Sequence, residues 1–288
     1  MHPEARQISL APMDPRDSLQ TLWKESADLF EPLAREVAAA TGWLVVNPGR
    51  YGERWHARFR GCYPLGARPL MFCGLNPGPY GMAQTGVPFT DLKRLASDLP
   101  RLARALAAAG ERLELPGLAP PELRPFLTRT FESSSVRVYR FLARAYGTAE
   151  VALRRIVFVN PCPLLLIEVE GKGKGNGARG ANRTPADLGK ALREKGSLRD
   201  GSSLRERFDA ARVTVARRAL ELLAPRGAVL LGRDVAKVLG PTLTGQLGTA
   251  ATLEWEHPAR AVPETWSRGL ARELTRRGLL PRAAAAGR

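Results

Sequence analysis

Histidine and cysteine are nearly missing from this chain. Of 288 residues, three are histidine (His2, His56, His257) and three are cysteine (Cys62, Cys73, Cys162). An odd thiol count without Cys-x-x-Cys spacing argues against a disulfide framework and a structural zinc. Three thiols also fall short of the four that ligate an iron–sulfur cluster. No metal site and no cofactor are expected. Long apolar runs are absent too. No stretch reaches the ~20 residues of a spanning helix, and residues 1–20 lack an apolar signal core. The expectation is a cytoplasmic protein of bacterial type with no membrane partner. Acidic residues are scarce, 28 against 44 basic, for a net charge of +16 and a pI of 10.7. That balance points to a polyanion, nucleic acid before membrane. The abundance of Ala, Arg, Gly and Pro also fits a GC-rich genome, so part of the arginine excess reflects codon bias.

What remains is ample for a core: 44% of the residues are hydrophobic. Residues 1–16 and 282–288 read as flexible tails, and residues 17–281 as one domain. Asp17 or Ser18 starts a helix with Leu19, Leu22, Trp23, Phe30, Leu33 and Val37 on its apolar face, kinked or restarted at Pro32. Strands are expected near residues 44–46, 70–75, 155–159, 228–231 and 253–256. Helices are expected over residues 91–109, after Ser133-Ser134-Ser135, from Thr184-Pro185, over residues 204–223, briefly after Gly232-Arg233, and up to Arg277. Asn47–Tyr51 reads as a turn, and His56 as a surface or structural histidine and not a catalytic one. Arg137, Arg140 and Arg144 share one helix face, solvated or touching phosphate. Gly175-x-Gly177-x-x-Gly180 formally fits a dinucleotide fingerprint, but no helix opens there. Residues 168–183 instead read as a flexible basic loop. Strands alternating with helices, with no linker between them, predict an α/β fold: a single three-layer α/β/α domain around a central, mostly parallel sheet.

Two strand exits share one design. Leu70–Leu75 is an apolar run ended by Asn76, then braced by Pro77, Gly78, Pro79 and Gly81. Arg155–Val159 ends at Asn160, followed by Pro161-Cys162-Pro163. Loops at the carboxyl ends of strands are where open α/β sheets bind ligands. Taken alone, Asn76 either bonds its own backbone in a turn or presents an amide to a ligand.

The run Gly74-Leu75-Asn76-Pro77-Gly78-Pro79-Tyr80-Gly81-Met82-Ala83-Gln84-Thr85-Gly86-Val87-Pro88-Phe89 resembles the first active-site motif of single-strand-selective monofunctional uracil-DNA glycosylases, in the uracil-DNA glycosylase superfamily. Asn160 and the stretch Gly180–Leu188 continue the resemblance. The resemblance implies the uracil-glycosylase fold and removal of uracil, and of C5-modified uracils such as 5-hydroxymethyluracil, from DNA by base excision without strand nicking. It implies that Asn76 positions the attacking water and that His257 donates to the departing base. Phe89 would stack on the base, Asn160 would read its edge, and Gly78 and Met82 would line the slot, Gly78 leaving room at C5. Pro258 and Arg260 would contact DNA. His257-Pro258-Ala259-Arg260-Ala261-Val262-Pro263 departs from the family pattern, because its arginine stands one place early and a usual asparagine is missing. The wedge residue and the strand preference therefore stay open. The expected partner is single- or double-stranded DNA, bound by a monomer that works at the nucleoid. The alternatives are a non-catalytic binder of damaged or single-stranded DNA and a nucleotide-binding protein.

Overall fold

The computed structural model describes residues 15–170, 179–194, 198–260 and 262–280. The terminal segments expected as tails lie outside these, except that a helix already begins at Pro15. Residues 171–178 of the Gly-rich stretch also lie outside them.

The central sheet has four parallel strands: β2 (Leu70–Cys73), β3 (Ile156–Val159), β6 (Gly227–Leu231) and β7 (Thr252–Trp255), in the order β3-β2-β6-β7. Three of them, β2, β3 and β6, are buried along their whole length because both faces are covered. Alternate residues feed two cores. Leu70, Phe72, Ile156, Phe158, Val229 and Leu231 face α3 (Glu53–Cys62), α6 (Pro100–Ala107), α7 (Ser133–Tyr146) and α12 (Pro263–Arg276). Met71, Cys73, Val157, Val159, Ala228 and Leu230 face α1 (Pro15–Thr41), α10 (Leu198–Leu223) and α11 (Arg233–Leu247). The three layers follow from that period of two.

Several elements differ from the sequence reading. The stretch 168–183 is not simply a loop: β4 (Leu165–Glu170) and β5 (Arg179–Arg183) pair antiparallel across it, and β4 also pairs with β1 (Leu44–Val46). This second sheet has its own small core with Leu123, Leu127, Leu165 and Ile167. Glycine and charge hid β5, whose backbone pairing is set by β4. Pro32 does not interrupt α1, which runs on to Thr41. Asn47 caps a four-residue helix, α2 (Pro48–Tyr51), in place of the expected turn. Residues 91–109 are two helices, α5 (Leu92–Asp98) and α6, divided at Pro100, which cannot donate within a helix. The helix after Gly232-Arg233 is not short: α11 has 15 residues. At α9 (Pro185–Glu194) the start at Thr184-Pro185 holds. Asp187 accepts from both the Thr184 N–H and its hydroxyl, each at 2.8 Å.

His56 is buried as a structural residue. Its ring stacks on Trp23 with centroids 3.4 Å apart, and it bonds to Arg60. Burial, then the Arg60 charge, hold its pKa well below the ordinary imidazole value. The α7 arginines are engaged with protein groups. Arg140 and Arg144 pair with Glu264 of α12, and Arg137 bonds the Ser133 carbonyl. No helix among the described residues is long and apolar enough to cross a membrane.

Candidate functional site

Register brings the sites together. Cys73 pairs with Val159 on one side and Leu230 on the other, and Leu231 pairs with Trp255. Asn76, Asn160 and His257 therefore leave one carboxyl edge of one sheet, from strands β2, β3 and β7. Two glycines make the edge tight. The Gly74 N–H donates to the Val159 carbonyl at 2.9 Å and the Gly232 N–H to the Trp255 carbonyl at 2.8 Å. Gly232 has φ 106°, a conformation that suits glycine, and a Cβ there would lie 3.3 Å from the His257 Cβ.

Gly74 lets Asn160 and Phe89 close on the strand end. A Cβ at Gly74 would stand 2.2 Å from Asn160 Oδ1 and 2.7 Å from the Phe89 ring. Asn160 Nδ2 is 3.3 Å from Met82 Sδ, while its Oδ1 is buried without a hydrogen-bond partner. Such an atom is costly unless a ligand satisfies it. Met82 and Asn160 also line a narrow cleft with Trp23, Pro88 and Pro163.

Phe89 sits at φ 55°, in the left-handed region, at a cost of ~1–2 kcal/mol. The next residues hold it there. Thr85 Oγ1 donates to the Thr90 carbonyl at 2.7 Å, Thr90 Oγ1 to the Pro88 carbonyl at 3.1 Å, and the Thr90 and Tyr139 hydroxyls bond at 2.8 Å. The Phe89 ring rests against Phe158, with centroids 5.3 Å apart. Backbone strain held this firmly is typical of functional positions.

Asn76 is half-buried. Its Nδ2 faces the carbonyls of Pro77 at 3.2 Å and of Leu164 and Arg183 at 3.4 Å. The residue before β4 and the last residue of β5 thus supply two of the acceptors that orient it. At His257, Nδ1 accepts from the Ala259 N–H at 3.2 Å. In the neutral ring the proton then sits on Nε2. Pro258 is buried and opens a single 3-10 turn, Pro258–Arg260. The Arg260 side chain and Ala261 lie outside the described residues.

Sequence reasoning missed Glu132. Its carboxylate fills the space expected to stand open at Gly78: a Cβ there would lie 2.6 Å from it, and at Gly81 2.1 Å. Ser134 Oγ donates to Glu132, whose backbone N–H donates to Asp91 at 2.8 Å. Burial, aided by the charge of Asp91, raises the Glu132 pKa, against the opposing bond from Ser134 and charge of Arg129. Asp91, the N-cap of α5, is also raised by burial. The available signal was thin: Glu132 is the only acid between Glu122 and Glu150. Among the described residues no cluster of three or more His, Cys, Asp or Glu is arranged to hold a metal. Burial pushes the Cys73 and Cys162 thiols up to about 12, so both stay protonated.

Residues 61–268 match the family model of the uracil DNA glycosylase superfamily. A single-strand selective monofunctional uracil DNA glycosylase from Bos taurus is 28% identical over 273 residues, covering 93% of this chain and 89% of the relative. A single-strand selective monofunctional uracil-DNA glycosylase from Rattus norvegicus is 29% identical over 243 residues, 83% and 77% of the two chains. The crystal structure of wild-type SMUG2 from Pedobacter heparinus superposes with a TM-score of 0.61 at 20% identity, over 92% of this chain and 98% of that one, a likeness of fold. By these matches the chain belongs to the uracil DNA glycosylase superfamily and is a DNA glycosylase.

Proposed function

We propose that the protein hydrolyses the N-glycosidic bond of uracil in DNA, and of 5-hydroxymethyluracil, by drawing the base out of the strand into the slot above Gly74. The observation that carries this reading is the buried, partnerless Asn160 Oδ1 beside the Phe89 ring. It is an acceptor for the uracil N3–H, with the Asn160 Nδ2 left to donate to O4. Cytosine presents the opposite pattern on that edge. Extruding the base costs a few kcal/mol, and stacking on Phe89 offsets part of it.

The bond breaks with negative charge gathering on the base and positive charge on the sugar. His257, with its proton on Nε2, donates to O2; one donor aimed at developing charge is worth roughly 10²–10³ in rate. Asn76 is no base. With its amide hydrogens turned to carbonyls, Oδ1 is the atom that accepts from water and aims it at the anomeric carbon. No lysine enters this scheme, in keeping with a monofunctional reaction. At C5 the base would meet the wall formed by Gly78 and the Glu132 carboxylate. A carboxylate accepts a hydrogen bond from a hydroxymethyl group and has nothing to offer a methyl group. On this basis 5-hydroxymethyluracil is a substrate and thymine is not.

The test is an excision assay on single- and double-stranded oligonucleotides bearing uracil, 5-hydroxymethyluracil, thymine or hypoxanthine, with alkaline cleavage of abasic sites. Uracil and 5-hydroxymethyluracil should be released and thymine retained. Asn76→Ala and His257→Ala should each fold, bind DNA and lose ~10²-fold or more in single-turnover rate. Wild-type rates in both variants would overturn the roles assigned here.

A further inference from the structure

Large apolar side chains exposed among the described residues are Leu29, Leu115, Phe131, Val151, Val169 and Val262. Phe131 is the aromatic one, 43% exposed, and it adjoins Glu132 at the slot. The Arg129 guanidinium links it to the slot's own loop, lying 4.1 Å from the centre of the Tyr80 ring and 5.4 Å from that of Phe131. Two rings and a cation thus form a rim two residues from Met82.

The rim is held in place by its backbone. The Arg129 carbonyl accepts from buried Gln84 at 2.9 Å, the Thr130 carbonyl from the Lys93 N–H at 3.1 Å, and the Glu132 N–H donates to buried Asp91 at 2.8 Å. Binding would therefore require little further ordering of the segment. Rings interleaved with a guanidinium suit the faces of unpaired nucleobases, and the positive charge suits the strand that carries them.

We infer that Tyr80, Arg129 and Phe131 form a stacking subsite for the nucleobase next to the extruded one. The inference rests on the proposed action on a DNA strand. Such a subsite favours unpaired strands, because in a duplex the neighbouring base keeps its own stacking partners.

The probes are single-stranded oligonucleotides with a non-hydrolysable uracil nucleotide flanked on one side or the other by the fluorescent base 2-aminopurine. The wild-type protein should quench the fluorophore on one side. Phe131→Ser should abolish the quenching and weaken binding about five- to hundredfold, the range expected for a lost base–aromatic stack. Phe131→Tyr should restore both, and Arg129→Ala should weaken binding and lower its salt slope by about one. With a cleavable uracil strand, Phe131→Ser should raise KM far more than it lowers kcat. Melting curves confirm folding of each variant. Absence of quenching on either side, or wild-type affinity in Phe131→Ser, would overturn the subsite. Binding is read without excision, so a wild-type protein that binds and quenches but removes no uracil would refute the proposed reaction and leave the subsite standing.

Discussion

Gly74 shows how much one missing Cβ decides. The Asn160 amide and the Phe89 ring both occupy the space a side chain would need. Gly74→Ala should therefore lower single-turnover excision by roughly 10²-fold, as an ångström of misplacement can do. An unchanged rate would show that the slot is looser than its contacts suggest. His56 carries a prediction of another kind. Its pKa is depressed on folding, so the unfolded chain takes up the proton first. Stability is then fully present above the unfolded value, about 6.5, and declines as the pH falls below it. Urea unfolding between pH 8 and pH 5 should show that decline at up to about 1.4 kcal/mol per pH unit, and His56→Gln should flatten it. The identity of Asn76, Asn160 and His257 as candidates was legible from strand exits and family resemblance. Glu132 was not, because a lone glutamate acquires meaning only when a glycine from a loop about 50 residues earlier lies against it.

At the scale of elements, the loop after β3 and the turn after β6 rest on α10. Arg212 of α10 is fully buried and bonds Asp209 at 3.0 Å and Asp234, in the first turn of α11, at 2.6 Å. That pair fixes α11 against α10 just past Gly232, the residue beside His257. Asp234→Ala would leave the guanidinium half-paired in the core. It should cost on the order of 3 kcal/mol in urea unfolding, less than for a fully abandoned charge because Asp209 remains. Replacing the pair by Arg212→Met with Asp234→Leu should cost less than Asp234→Ala alone. Equal losses would indicate that packing, and not charge, is what the pair contributes. Of the parallel strands, β2, β3 and β6 were readable because each is short, apolar and ended by Asn or Gly, and β7 because His257-Pro258 closes a short run. Of the antiparallel sheet only β1 was readable, since β5 reads Arg-Gly-Ala-Asn-Arg and owes its extension to pairing with β4.

Across the whole molecule, the 44 basic residues overstate the positive charge free to meet DNA, since the 28 acidic residues leave an excess of 16. Many of the arginines pair with carboxylates, including Arg50, Arg144, Arg207, Arg218 and Arg277. A strand in the slot should then contact few phosphates. The affinity for a single-stranded oligonucleotide should fall with salt at a log–log slope of about −2 to −4, at roughly 0.7 per phosphate neutralised. A slope near −10 would mean a much longer footprint. The sequence by itself determined the layer architecture, because strand and helix periods are local and each is written within a dozen residues. It also determined which amides end the strands. Only the tertiary structure decided that Asn76 is oriented by carbonyls at the edge of the second sheet, that Gly78 faces a carboxylate, and that Arg129, with Phe131 exposed beside it, lies over the Tyr80 ring. Those relations join segments far apart in the chain, and which segments meet depends on how the whole core closes.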